Sequence, residues 1–173
     1  MLWGARAVRS QELSNSGTAV ASSTRMTARD FRDLVCWQLS YELKCEVFAC
    51  TATGPASRDF KYRDQIRDSS AAAPRDIAEG FGRFRPREFA RFLEFARASL
   101  METQTSLIDG RDRGYLAQSL YSRLANLARA ALKATTNLML SKQRQANESS
   151  QKRRELGRAP TDAATVQRDR RAR

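Results

Sequence analysis

The spacing of apolar residues constrains the fold of this chain more than any other feature of its sequence. Between about residue 30 and about residue 140 of the 173-residue chain, apolar side chains recur at steps of three and four, the period of one face of an α-helix. No segment alternates β-branched and polar residues as a half-buried strand would. Because amphipathic helices bury their apolar faces by packing on one another, the sequence predicts an all-α protein.

The first predicted helix covers residues 31–52 and is followed by Gly54-Pro55. Trp37 and Tyr41 widen its apolar surface beyond one stripe, which suits a bundle or an oligomer. Three cysteines on this helix lack C-x-x-C spacing, which favours reduced, buried thiols in a cytosolic protein over a metal or redox site. The cysteines are Cys36, Cys45 and Cys50, and the main apolar residues are Phe31, Leu34, Val35, Leu39, Leu43, Val47 and Phe48.

The second predicted helix covers residues 59–80 and contains Pro74. Because proline lacks an N–H and clashes with the preceding turn, a kink or a break is expected there, and two shorter helices are the alternative. The expected inward residues are Phe60, Ile66, Ala73 and Ile77.

The third and fourth predicted helices are the most regular. Pro86 and Glu88 suit a first helical turn, and the third helix is expected to end near Asp109-Gly110. The fourth opens at Tyr115 or Leu116. The expected inward residues are Phe89, Phe92, Leu93, Ala96, Leu100, Thr103 and Leu107, then Leu116, Leu120, Leu124, Leu127, Ala131, Leu138 and Met139. Four such helices joined by short turns predict an antiparallel up-down four-helix bundle over residues 30–140.

Basic residues are concentrated at the two ends of the chain. With 31 Lys plus Arg against 19 Asp plus Glu, the net charge is +12, which favours polyanions, and nucleic acid above all. Residues 1–29 carry +3 and residues 141–173 carry +6, leaving only +3 between them. Both ends lack core-forming residues, so we expect a flexible segment over 1–29 and a mostly disordered tail over 141–173, with a short helix at 146–156 as an option. Met26 is an alternative to Met1 as the translation start.

The composition also disfavours catalysis. The chain has no histidine, which removes Ser-His and Cys-His chemistry and imidazole metal sites. Asp76 and Glu79 have no third carboxylate at metal spacing, and Gly80-Phe81-Gly82 follows a helix instead of a strand. No apolar run approaches the ~20 residues of a membrane-spanning helix. We therefore expect no enzyme activity, cofactor, metal or membrane partner, and a cytoplasmic location.

The densest basic cluster lies at the turn that enters the third helix. Arginines near a helix N-terminus can bind phosphate with the free backbone amides, and interleaved aromatic rings can stack on bases. The alternative is that the aromatic residues pack and the arginines solvate the turn. The cluster is Arg83, Arg85, Arg87 and Arg91, interleaved with Phe81, Phe84 and Phe89; the weaker candidates are Arg63, Arg67 and Arg97. Arg63, Arg67 and Arg75 stand beside aspartates, so ion pairs with other helices or subunits are expected for them.

Several motifs resemble one bacterial family. They are Phe31-Arg32-Asp33-Leu34, Trp37-Gln38, Asp64-Gln65-Ile66-Arg67, Ile77-Ala78-Glu79-Gly80-Phe81-Gly82-Arg83, Glu88-Phe89, Phe92-Leu93, Ala96-Arg97-Ala98-Ser99-Leu100 with Glu102, and Gly114-Tyr115-Leu116. Over residues 31–140 the chain is similar to the four-helix-bundle proteins encoded by intervening sequences of 23S ribosomal RNA genes. Their relatives include the accessory variability determinant of diversity-generating retroelements.

This resemblance implies a homopentameric ring or barrel. In the retroelement relatives, the basic barrel binds a reverse transcriptase and nucleic acid. Two departures make this chain more acidic than the family pattern: Arg67-Asp68 replaces a doubled arginine, and Asp76 replaces an asparagine. Charge and resemblance together predict a non-enzymatic homopentamer that binds RNA or DNA backbone, as an accessory to a reverse transcriptase or ribonucleoprotein. The alternative is a structural or protein-interaction scaffold that does not bind nucleic acid.

Overall fold

All secondary structure in the described part of the chain is helical. The computed structural model describes residues 28–156, so most of the predicted flexible segment 1–29 and the last seventeen residues of the predicted tail lie outside it. After a 3-10 turn at Phe31–Asp33, the helices are α1 (Val35–Cys50), α2 (Gly54–Arg58), α3 (Phe60–Gly82), α4 (Pro86–Asp112) and α5 (Gln118–Leu156). The all-α prediction is therefore confirmed for the described residues, and none of their helices is both long and apolar enough to cross a membrane.

Local sequence signals account for the ends of α3 and α4. Asp59 caps α3, since its carboxylate accepts the backbone N–H of Tyr62 at 3.1 Å. Pro86 occupies the first turn of α4, where its missing N–H costs nothing. The carbonyl of Gly110 accepts the amides of Tyr115 and Leu116 at 2.8 and 3.2 Å, which turns the chain towards α5.

The four long helices pack in a closed order. α3 packs on α4, α4 packs on α5, and α1 packs on both α3 and α5. Arg123 near the start of α5 pairs with Glu46 near the end of α1 at 2.8 Å, while Gln143 on α5 bonds Glu94 near the start of α4. These contacts indicate that α5 runs in the opposite direction to α1 and to α4.

One hydrophobic cluster joins these helices. Eight of its large aliphatic side chains are fully buried, as expected for amphipathic helices packed on one another. They are Leu43, Val47, Ile66, Ile77, Leu93, Leu100, Leu107 and Leu124. All eight belong to the apolar sets predicted from the sequence.

Buried hydroxyls lie among these apolar side chains. Ser40, Thr51, Thr103 and Thr135 each donate to a carbonyl four residues earlier in the chain, at 2.7 to 2.8 Å. Such local bonds satisfy a polar group that would otherwise be costly to bury. Thr103 also lies 3.1 Å from the hydroxyl of Ser69 on the neighbouring helix.

Two glycines allow α3 and α4 to approach closely. A β-carbon at Gly80 would lie 2.7 Å from the Phe89 ring and 2.7 Å from the β-carbon of Phe92. A β-carbon at Gly110 would collide with the hydroxyl of Tyr62. The first glycine is at the end of α3 and the second is at the end of α4, so close approach is required at both ends of this helix pair.

Several residues of the predicted apolar sets are in fact exposed. On α1, the side chains of Val35 and Phe48 are 60% and 38% exposed, because the buried face of this helix passes through Cys36 and Ser40. On α3, the side chain of Phe60 is 65% exposed, because it is the first residue of the helix and lies beyond the core. Cys36 is buried but Cys45 is exposed, so the prediction of three buried thiols is wrong.

Three helix boundaries also differ from the prediction. The first helix ends at Cys50, and Gly54 instead opens the short helix α2. α3 continues through Pro74, so the break and the two-helix alternative are wrong. Residues 141–156 belong to the tail that we expected to be mostly disordered, with a short helix at 146–156 as an option, and they continue α5. Extension costs little because an existing helix needs no new nucleus and this segment is rich in Lys, Arg, Gln, Glu and Ala.

Candidate nucleic-acid interface

The turn between α3 and α4 carries the predicted arginine cluster. α3 ends at Gly82, Arg83 and Arg85 have extended backbones, and α4 begins at Pro86. Arg85 is the N-cap residue, and its side chain makes no capping hydrogen bond. The first backbone amides of α4 therefore lack a side-chain cap from that residue, which leaves them available to an anion.

The four clustered arginines have different surroundings. Arg83 pairs with Glu79 at 2.7 Å and lies over the Phe92 ring, so it is engaged on the α3 side of the turn. The ion pair between Arg85 and Glu88 is long, at 3.8 Å, and the Arg85 side chain is 84% exposed. Arg87 is exposed, and Arg91 is exposed with its guanidinium over the Phe95 ring. Exposed ion pairs contribute little energy, so these guanidinium groups can exchange partners readily.

A groove separates the start of α4 from the last turns of α5. Its larger part has a volume of about 960 Å³, and the adjoining part about 410 Å³, with Arg87, Ala146 and Ser150 lining both. Arg85, Arg87 and Arg91 line it from the turn and α4, while Arg153 and Arg154 line it from α5. The acidic residues that line it are Glu88 and Glu94. The groove walls therefore carry more positive than negative charge.

Sequence reasoning missed the α5 wall of this groove. The composition of residues 141–156 predicts a basic tail. Their sequence nevertheless places Gln143, Ala146, Ser150 and Arg154 at successive steps of three and four. That spacing was the available signal, but it marks a polar face, and polar faces carry no hydrophobic pattern by which to recognise a helix. The extension brings Arg153 and Arg154 to the arginines of α4.

The three interleaved aromatic residues have separate roles. Phe89 is buried, and Phe81 packs on it edge-to-face with ring centroids 6.2 Å apart. Phe84 is fully exposed and lines the groove beside Arg85 and Arg153. The packing alternative therefore holds for Phe81 and Phe89, and Phe84 is the ring of the three that is free to stack.

The weaker arginine candidates do not line the groove. Arg67 donates to the Thr51 hydroxyl at 2.8 Å and lies over the Phe48 ring, so it joins α3 to the end of α1. Arg63 forms its ion pair with the adjacent Asp64 at 2.8 Å and also donates to the Ser57 carbonyl of α2 at 3.4 Å. Arg97 is exposed on α4, two turns beyond Glu88.

Asp76 and Glu79, the carboxylates beside Gly80, belong to no larger acidic cluster among the described residues. Burial raises the pKa of Asp76, an effect that Arg75 opposes and Glu79 reinforces. The described residues hold no group of three or more His, Cys, Asp or Glu side chains that could bind a metal ion.

The described chain is thus an all-helical protein with an arginine-lined groove at one end. A model of the 23S rRNA-intervening sequence protein family matches residues 32–137, and the chain belongs to that family. A solved structure from Bacteroides thetaiotaomicron, described as a protein of unknown function from the S23 ribosomal protein family, is 18% identical with a TM-score of 0.56. The similarity covers 61% of this chain and 98% of that one, and it supports the fold alone. No curated protein matches the sequence.

Proposed function

We propose that this protein is a cytoplasmic, non-enzymatic, nucleic-acid-binding four-helix bundle that works as a homo-oligomer. The observation that carries the proposal is the groove in which Arg85, Arg87 and Arg91 face Arg153 and Arg154 across two helices. Guanidinium groups hold phosphate oxygens bidentately, and a phosphate chain presents such oxygens at regular intervals. The family takes its name from 23S rRNA, which favours RNA as the ligand.

The bundle is supported by the packing order of the helices. Each of α1, α3, α4 and α5 packs against two neighbours that run in the opposite direction. α2 is a five-residue connection between α1 and α3. An up-down bundle is the simplest topology that satisfies these contacts with short loops.

Assembly into an oligomer is supported by exposed apolar side chains. Tyr41 and Phe48 on α1 are 42% and 38% exposed, and Phe95 and Met101 on α4 are 45% and 47% exposed. Trp37 stacks on Tyr41 with ring centroids 4.8 Å apart, which extends the α1 surface. Such surfaces favour contact with further copies, and the family resemblance proposes a homopentameric ring.

The proposal is tested by the salt dependence of binding. Fluorescence anisotropy of the full chain with labelled RNA and DNA is measured from low to physiological salt. The triple variant Arg85→Gln, Arg87→Gln, Arg91→Gln should weaken binding and reduce the slope of log K against log salt by about 2–3, because each lost phosphate contact removes about 0.7–0.9. The control Arg58→Gln, Arg129→Gln removes exposed charge elsewhere and should change the slope little.

Failure of the full chain to bind either nucleic acid at low salt would refute the proposal. Losses that are equal per charge removed in the two variants would show that only net charge matters. A more specific form of the proposal is that this protein binds a reverse transcriptase, as the retroelement relatives do. A co-expressed reverse transcriptase should then co-purify with this chain.

The second candidate function is a protein-interaction scaffold, favoured by the same exposed rings. Sedimentation of the full chain with and without nucleic acid separates the two candidates. A defined oligomer that ignores nucleic acid favours the scaffold. The variant Tyr41→Ser, Phe48→Ser should dissociate that oligomer, whereas Val35→Ser, at another exposed position of α1, should leave it intact.

A further inference from the structure

We infer that the groove between α4 and α5 binds a single strand of nucleic acid, with Phe84 stacked on an unpaired base. The inference rests on the proposed function and assigns the form of the ligand. It also adds Arg153 and Arg154 of the α5 extension to the binding residues. The family match ends at residue 137, so this wall of the groove belongs to the chain's own extension.

Phe84 is placed to stack on a ligand. Its side chain is fully exposed, although burying a phenylalanine would stabilise the fold, and the aromatic pairs of the described residues do not include it. It stands between Arg83 and Arg85 on extended backbone, at the mouth of the groove. A flat apolar ring flanked by cations is the arrangement that accepts a base while its phosphates are neutralised.

The two walls of the groove offer different contacts. The α4 wall presents Arg87 and Arg91 near the helix N-terminus. The α5 wall presents Arg153, Arg154 and the amide-bearing Gln151. Guanidinium groups on both sides can hold consecutive phosphates of one strand, and side-chain amides and hydroxyls can bond sugar and base edges.

The floor of the groove is built from small residues. Ala90 of α4 faces Ala146 and Ser150 of α5, so the groove stays open between the two helices. Gln143 bonds Glu94 at 3.0 Å, and the hydroxyls of Ser149 and Ser150 donate to carbonyls of their own helix. The two walls are therefore joined by a hydrogen bond where Gln143 meets Glu94.

These features favour a single strand over a duplex. A ring can stack on a base only if one face of that base is not covered by a neighbouring base, and the bases inside a duplex are stacked on both faces. A duplex could still contact the arginines through its outer phosphates, but it would gain nothing from Phe84. The difference between the two forms should therefore depend on this one side chain.

The test compares Phe84→Ala with Phe60→Ala in the full chain. Phe60 is a matched control because it is also an exposed phenylalanine at an end of α3, but at the end opposite to the groove. Anisotropy is measured at low salt with labelled 20-nucleotide strands of mixed sequence, as RNA and as DNA, and with the corresponding duplexes. The wild type should prefer the single strand. Phe84→Ala should weaken single-strand binding about fivefold to a hundredfold and leave duplex binding unchanged.

Further variants separate stacking from charge. Phe84→Trp should restore single-strand binding, because it keeps a flat aromatic face. Arg153→Gln with Arg154→Gln should reduce the salt slope for the single strand by about 1.4. The RNA and DNA strands show whether the 2′-hydroxyl contributes.

Each outcome bears on one of the two claims. If no nucleic acid binds, the proposed function fails and this inference fails with it. If duplex and single strand bind equally, or if Phe84→Ala weakens both alike, the groove is a general phosphate-binding surface and only this inference is overturned. A loss with Phe60→Ala as large as with Phe84→Ala would overturn it as well.

Discussion

The close contact of α3 with α4 at Gly80 predicts that Gly80→Ala destabilises the protein. The new β-carbon would meet the Phe89 ring and the β-carbon of Phe92, both at 2.7 Å. A ring can turn away, but the β-carbon of Phe92 is fixed to the α4 backbone, so the two helices must separate. Overpacking of this kind costs about 1–3 kcal/mol, and two collisions with one immovable atom place this case in the upper half of that range.

Helix propensity opposes that cost. Alanine is favoured over glycine by up to about 1 kcal/mol inside a helix, and by less in the last turn, where Gly80 lies. The net loss is therefore about 1–2 kcal/mol, which corresponds to a fall in Tm of about 2–8 °C. Thermal unfolding followed by circular dichroism at the helical band measures it.

Gly82→Ala is the matched control. Gly82 lies two residues further along α3, and a β-carbon there would meet nothing within 4 Å. The same substitution should leave Tm unchanged or raise it slightly, because only the propensity gain remains. If Gly80→Ala melted at or above the wild-type temperature, or if both variants fell equally, the reasoning from the Gly80 contact would be refuted.

Three further predictions concern charge, thiols and local stability. The pKa of Asp59 is lowered mainly because its carboxylate accepts a backbone N–H of α3, so the charged form stabilises the fold above pH 3.8 and this contribution is lost as the pH falls below that value. The difference in unfolding free energy between wild type and Asp59→Asn should therefore shrink in titrations from about pH 6 to about pH 3. A constant difference would contradict the prediction. Cys45 should be alkylated first, since it is exposed, whereas burial raises the pKa of Cys36 to about 11; mass spectrometry that found Cys36 modified first would refute this. In hydrogen exchange, the backbone amides of residues 144–156 should exchange before those of residues 124–139, which form part of the core. Equal protection of the two segments would contradict this prediction.

The core of the long helices was predictable because their faces are strongly periodic. In α4 the spacing identified Leu93, Leu100 and Leu107, all fully buried. In α1 the apolar residues cover more than one side, so the pattern could not distinguish the face that meets α3 and α5 from the face that carries Val35 and Phe48. The fully buried Ser40 was missed because its hydroxyl is satisfied by its own helix, and the sequence pattern scores it as polar.

The candidate site was only half predictable. The arginines of the α3–α4 turn stand together in the sequence, so the cluster was visible without a structure. Arg153 and Arg154 lie some sixty residues further on, and their approach to that turn depends on the length and direction of α5. No local pattern encodes such a juxtaposition, and the compositional argument for a disordered tail worked against it.

The hydroxyls of Ser40 and Thr135 are satisfied by carbonyls of their own helices, so they do not fix the alignment of those helices with their neighbours. Polar groups that bond their own backbone place no demand on the neighbouring helix, so they would tolerate a neighbour that slid along by a turn. Gly80 and Gly110 would not, because the Phe89 and Tyr62 side chains fit against them only where no β-carbon is present, and a helix shifted by a turn would bring those rings against residues that have one. Shape at these two points, together with the hydrogen bond between Thr103 and Ser69, therefore fixes the alignment of α3 with α4, and through the connecting turn it also fixes where the arginines stand.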